Sequence, residues 1–188
     1  MSTILDEPAV RRAAFPVSVE FYHELGRLGH LDKSVELLDG VIIQKMSKSP
    51  WHVFVLHRLR RLIADALNER QQLRHESPIT TSVSEPEPDL AVVEGGENDF
   101  FDRHPTTALL VVEVAVSSVE IDRRKAAIYA DAGVKEYWLV EPEAARVTVF
   151  RQPVAGRYES ERVFADGAIL TCEALPGLSL SLAELFKR

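Results

Sequence analysis

Apolar positions along this chain change their period several times, and each change predicts an element. Residues 18–28 (SVEFYHELGRL) read as a short helix, with Ser18 at its N-cap and Gly29 beyond its end. SVELLDGVIIQKM follows as two short apolar runs around Asp39-Gly40, a pair that tolerates the positive φ angles of a tight turn, so a hairpin is expected. Ser49-Pro50 gives a capping serine followed by proline at the first helical position. Val55, Leu59, Leu62, Ile63 and Ala66 then recur at helical spacing, which predicts an amphipathic helix over 51–70. The pattern next becomes extended in PITTSV, PDLAVVE and ALLVVEVAV, with the polar segment 95–107 read as a mobile loop. A helix is expected over 119–132, opened by a Ser117-x-x-Glu120 capping box and closed at Gly133. EYWLV and RVTVF read as a hairpin, followed by strands near 157–164 and 168–171 and a C-terminal helix in SLAELFK. This order predicts an α/β or α+β chain whose central sheet is flanked by helices.

Three charges break the apolar pattern. Glu113 lies inside ALLVVEVAV, a run so uniformly apolar that both strand faces are expected to be buried. A lone carboxylate there costs several kcal/mol unless it is paired or bound to a cation. The alternatives are a strand end that surfaces, or a buried arginine partner. Asp89 follows Pro88 at the start of PDLAVVE, where an acid is often only a turn residue. If these consecutive strands pair, however, Asp89 and Glu113 converge. Lys125 shares a helical stripe with Ile121, Ile128 and Ala132, on the side facing the sheet. Either its stem packs and its ammonium snorkels to water, or it meets an anion such as Glu113.

Composition narrows the chemistry. The chain has 188 residues, 46% hydrophobic and 27% charged, which suits one soluble domain over 1–188, with 1–17 expected to be flexible. Its single cysteine, Cys172, excludes an internal disulfide framework and a Cys-based metal finger. MSTILDEPAVRRAAFPVS lacks the continuous apolar stretch of a secretory signal, and Ala108–Val116 is too short to span a bilayer. A cytoplasmic location without membrane contact is the expectation. The net charge of −7 argues against a simple nucleic-acid coat. The charge is uneven, though. Residues 45–61 carry Lys45, Lys48, Arg58, Arg60 and Arg61 with no acid, and Arg123, Arg124 and Lys125 form a second cluster. Each patch is either a surface for a phosphate backbone or a solvated face.

One Asp and one Glu offer hard oxygen ligands of the kind that suit Mg²⁺ or Mn²⁺. A neighbouring lysine can orient or deprotonate an attacking water or stabilise phosphoryl charge. The chemistry indicated is phosphodiester hydrolysis. There is no Gly-rich phosphate loop, no G-x-S-x-G elbow and no pair of histidines at ligand spacing.

At these residues the chain resembles the PD-(D/E)XK nuclease superfamily and, within it, the Uma-two family of endonuclease-like proteins. Pro88-Asp89 matches the PD element and Glu113 the acid of (D/E)XK, while EVAVSSVEIDRRKAAIYADAGVKEYWLVEPE is similar to the family's most distinctive segment. VELLDG, the Ser-Pro-x-His helix start and LPGLSL also match, so the likeness runs over roughly 34–186. Ala115 stands where the superfamily motif has lysine, and Lys125 in DRRK fits the migrated lysine of this family. The resemblance implies a restriction-endonuclease-like fold with a central mixed sheet and an N-terminal β-hairpin. It implies a Mg²⁺- or Mn²⁺-dependent endonuclease acting on DNA, with Asp89, Glu113 and Lys125 catalytic and the metal on Asp89, Glu113 and the Val114 carbonyl. Glu36, His52 and Asp122 match positions with supporting roles. Against these stand a solvent-facing hairpin acid, a histidine packed on the core, and an acid that complements the helix dipole. A homodimer would suit cutting both strands. The rival reading is a non-catalytic nucleic-acid-binding or assembly module on the same fold.

Overall fold

The structure is a computed structural model and describes residues 7–32, 34–165 and 167–188. Of the N-terminal segment expected to be flexible, 1–6 lie outside the described residues. In chain order the elements are helices α1 (Pro8–Ala13) and α2 (Val19–Arg27), strands β1 (Val35–Leu38) and β2 (Val41–Gln44), and helix α3 (Pro50–Asp65). Strands β3 (Gln71–His75), β4 (Leu90–Glu94) and β5 (Leu110–Val114) precede helix α4 (Val119–Asp131). Strands β6 (Glu136–Glu141), β7 (Arg146–Val154), β8 (Arg157–Ala165), β9 (Ile169–Thr171) and β10 (Ser179–Ser181) lead to helix α5 (Leu182–Phe186).

Six strands form one mixed sheet in the order β3-β4-β5-β6-β7-β8. Every neighbouring pair is antiparallel except β5–β6, which is parallel and joined through α4. Apolar residues on both faces of β4 and β5 allow this sheet to be covered twice. On one face, Leu90, Val92, Leu110, Val112, Trp138 and Val140 pack under Val55, Leu59 and Ile63 of α3 and the C-terminal Leu180, Leu182 and Leu185. On the other, Ala91, Val93, Val111, Tyr137 and Leu139 pack under Tyr129 of α4. Among the described residues no helix is long and apolar enough to cross a membrane.

The hairpin forms as its turn requires, with Asp39 at φ 48° and Gly40 at φ 74°. Helix α3 stops at Asp65, short of the expected 70. Asn68 accepts from the Arg70 amide through its side chain and from Gln71 through its carbonyl, closing a turn that starts β3. β3 itself, QQLRH, carries no alternating signal because it is a polar edge strand. PITTSV, expected to be extended, is a loop held by a Thr81–Ser84 turn. The expected Ser117 capping box does not form. The N-cap of α4 is Ser118, whose hydroxyl donates instead to the Asp122 carboxylate.

Candidate active site

The β4–β5 register pairs Leu90 with Val112, and one further step sets Asp89 opposite Glu113. Directly opposed residues of an antiparallel pair share a face, so both acids arrive together at the end of the sheet where β5 finishes. Each is tied to the other's strand. The Asp89 amide donates to Glu113 Oε2 at 3.3 Å, and the Val114 amide donates to Asp89 Oδ2 at 2.8 Å. All of this is buried.

Helix α4 brings Lys125 under Glu113. Its Nζ lies 3.0 Å from Glu113 Oε1, 2.8 Å from Glu36 Oε1 and 3.3 Å from Asp122 Oδ1, with its side chain only 5% exposed. It does not snorkel. One turn further along α4, the Tyr129 hydroxyl donates to Glu113 Oε1 at 2.8 Å. Glu36 reaches this cluster from the hairpin, and its other oxygen accepts from the Glu87 amide at 3.1 Å. It is buried, not the solvent-facing acid that was its alternative. Ile121, expected on the buried stripe with Lys125, is exposed at the cleft instead.

From the other side, the start of α3 supplies His52, whose Nε2 stands 3.2 Å from Asp89 Oδ1. Lys48, on the loop before α3, places its Nζ 3.1 Å from the same oxygen and also pairs with Glu76. These residues line an open cleft of about 450 Å³. Glu76 and Tyr129 are absent from the sequence-based site, and Lys48 figures there only as one of the basic residues of 45–61. Tyr129 is four residues from Lys125 and so on its stripe, which is a legible signal; Lys48 and Glu76 sit in irregular segments with no period to mark them.

The electrostatics follow from one cation shared by three acids. Burial pushes the Glu113 carboxyl up to about 8, and Asp122, Asp89 and Glu36 add to that effect against the pull of Lys125. Burial opposes the Lys125 charge, but Glu113, Glu36 and Asp122 outweigh it and keep the ammonium firmly protonated. Burial also opposes ionisation of Asp89, yet His52, the Val114 amide and Lys48 hold its carboxyl below the usual range. Tyr129 is pushed well up by burial and by Glu113, so its hydroxyl remains a donor.

The donor set fits a hard divalent cation in part. Asp89 and Glu113 present adjacent carboxylates, and Glu113 is left short of positive charge. Among the described residues no three His, Cys, Asp or Glu side chains are arranged as a metal cage. Two carboxylates with the remaining positions left to water and phosphate suit Mg²⁺, which seldom uses an all-protein cage.

Of the basic segment 45–61, Arg58 does not face the cleft. Its guanidinium donates to the carbonyls of Glu184 at 2.7 Å and Lys187 at 2.6 Å, capping α5. Lys45 pairs with Glu87 at 2.5 Å, while Arg60 and Arg61 are exposed on α3.

A solved structure described as a "putative nuclease belonging to DUF820", from Anabaena variabilis ATCC 29413, is similar in fold, with TM-score 0.77 and 19% identity. The match covers 91% of this chain and 98% of that one. The type IIG restriction endonuclease BpuSI aligns at 17% identity and TM-score 0.40, over 80% of this chain and 18% of its own. No curated protein matches the chain. The Uma2 family, described as "Putative restriction endonuclease", matches residues 19–183, and the chain belongs to that family.

Proposed function

We propose that this protein is a Mg²⁺- or Mn²⁺-dependent endonuclease that hydrolyses phosphodiester bonds of DNA. The observation that carries this reading is the crosswise tie of Asp89 and Glu113 in the lining of a cleft, with Lys125 beneath Glu113. Membership of a family described as restriction endonuclease supports it. Asp89 and Glu113 would hold the metal together with the Val114 carbonyl. When bound, that ion supplies Lewis-acid polarisation of the phosphoryl oxygen.

The chain's own groups divide the remaining work. Lys125 and the Tyr129 hydroxyl fix the Glu113 carboxylate in place, and Lys125 offsets its charge. Glu36 and Asp122 hold the Lys125 ammonium from two further sides. His52 stands at the cleft wall with its Nε2 3.2 Å from Asp89 Oδ1. A pair of these molecules would cut both strands of a duplex.

One observation favours the second reading, a non-catalytic nucleic-acid-binding or assembly module: Lys125 already occupies the space between three carboxylates, as a cation would. Supercoiled plasmid incubated with Mg²⁺ or Mn²⁺ separates the two. The endonuclease nicks or linearises it, and Asp89→Asn and Glu113→Gln lose at least a hundredfold in rate while remaining folded, as removal of one charge-stabilising group does elsewhere (roughly 10²–10³). Full cleavage by Glu113→Gln would remove Glu113 from the assignment, and an inert wild type with both metals on DNA and RNA alike would favour the module.

A further inference from the structure

We propose that Lys48, His52 and the first turn of α3 form the phosphate-holding wall of the cleft, so that Lys48, and not the buried Lys125, is the lysine that touches the nucleic-acid backbone. This rests on the nuclease reading and assigns its substrate contact.

The two lysines differ in what they can reach. Lys125 is 5% exposed, and its ammonium is taken up by Glu36, Glu113 and Asp122. A phosphate oxygen would have to displace a carboxylate to reach it. Lys48 is itself paired with Glu76 and, at 3.1 Å, with Asp89 Oδ1, but 34% of its side chain is exposed at the cleft, which leaves its ammonium open to a further anion on that side. Glu76 sits in the left-handed region at φ 45° with its amide donating to the Asp89 carbonyl, which keeps its carboxylate, and hence Lys48, at the cleft. An ammonium of this kind, on a flexible stem, acts as a mobile point charge for phosphate.

His52 is the second, independent sign. Its side chain is 9% exposed and lines the cleft, yet Nε2, 3.2 Å from Asp89 Oδ1, is out of hydrogen-bond alignment and has no other partner. A buried ring nitrogen left without a partner is costly unless a ligand supplies one. The third feature is the helix itself. Ser49, which lines the cleft beside Lys48, caps α3 by accepting from the His52 amide at 3.1 Å, and Pro50 takes the first helical position. A helix of 16 residues carries the positive end of its dipole at this point. A cation, an unsatisfied ring nitrogen and a helix N-terminus thus share one wall, and the chemistry they fit together is a phosphodiester.

The test is binding rather than cleavage. Fluorescence anisotropy of a labelled DNA duplex is followed in Ca²⁺ across a range of salt, and the slope of log K against log[salt] counts the phosphates neutralised. Lys48→Met is expected to reduce that slope by about one and weaken binding to all sequences alike. Lys48→Arg restores the slope, and His52→Phe also weakens binding. Lys135→Met, at the start of β6 and so at the other end of the parallel β5–β6 pair, leaves the slope as in wild type. Melting curves check that each variant is folded. If wild type binds with a steep slope and Lys48→Met keeps it, or Lys135→Met loses as much, the assignment of Lys48 is overturned while the nuclease reading stands. If wild type shows no salt-dependent binding to duplex or single strand, both are overturned.

Discussion

Lys125 holds one positive charge among Glu36, Glu113 and Asp122, and the shortfall lands on Glu113, which is buried within the sheet. Its carboxyl is pushed from 4.5 up to about 8. Between those values the folded chain keeps a proton that the unfolded chain has released. The contribution of Glu113 to stability therefore declines as pH rises from 4.5 to about 8 and levels off above. In EDTA, the wild-type melting temperature is expected to fall over this interval, and that of Glu113→Gln to fall less, so that the variant gains on wild type towards pH 8. Parallel melting curves for the two proteins across the interval would contradict the account. Asp89 behaves in the opposite sense: its lowered carboxyl contributes stability at neutral pH that is lost only in stronger acid.

Among the elements, the β1–β2 hairpin matters more than its size suggests, because it delivers Glu36 to Lys125. It is docked by bonds from the Glu85 amide to the Leu37 carbonyl at 2.7 Å, and from the Gly40 amide to the Val83 carbonyl at 3.0 Å. At its tip, the Val17 amide donates to the Gly40 carbonyl at 2.8 Å, bringing Pro16 across the turn. A Cβ on Gly40 would stand 2.6 Å from Pro16 Cβ and 3.1 Å from its Cα, and φ is already 74° there. Gly40→Ala thus combines overpacking with a left-handed backbone, a loss of about 2–4 kcal/mol. At about 2–4 °C per kcal/mol for a chain of this size, the melting temperature should drop by roughly 4–16 °C. A drop of under a degree would show that the hairpin tip gives way freely.

The sequence revealed most of these elements for a physical reason: strands and helices with a buried face must repeat. Asp39-Gly40, Ser49-Pro50 and Gly133 marked turns and ends through backbone geometry alone. Glu113 and Lys125 stood out because charge at a buried position breaks the repeat. The edge strand QQLRH was invisible because one side of it has no neighbour to satisfy. Lys48 was legible only as part of a basic patch, and its meeting with Glu76 at Asp89 was hidden because it depends on how two irregular segments cross, which local pattern does not encode.

At the scale of the whole molecule the net charge is −7, yet Lys45 and Lys48 line the cleft beside the acidic centre, and Arg60 and Arg61 are exposed further along α3. Any divalent ion that binds this centre only when the chain is folded must stabilise the whole by mass action. Added Mn²⁺ is expected to raise the wild-type melting temperature progressively with concentration, and to leave Asp89→Asn unmoved. An equal rise in both proteins would mean the ion binds elsewhere.

The crosswise tie between Asp89 and Glu113 also bears on the making of the protein. Neither acid is aimed by its own strand alone, because each carboxylate rests on an amide belonging to the other. A slip of one residue in the β4–β5 pairing would put the two side chains on opposite faces of the sheet, and an unpaired β5 would leave Glu113 without its counterpart. A half-synthesised or misregistered chain therefore holds no such pair of acids. The sheet acts as a two-key lock, and the pair of acids comes together only when the fold is finished.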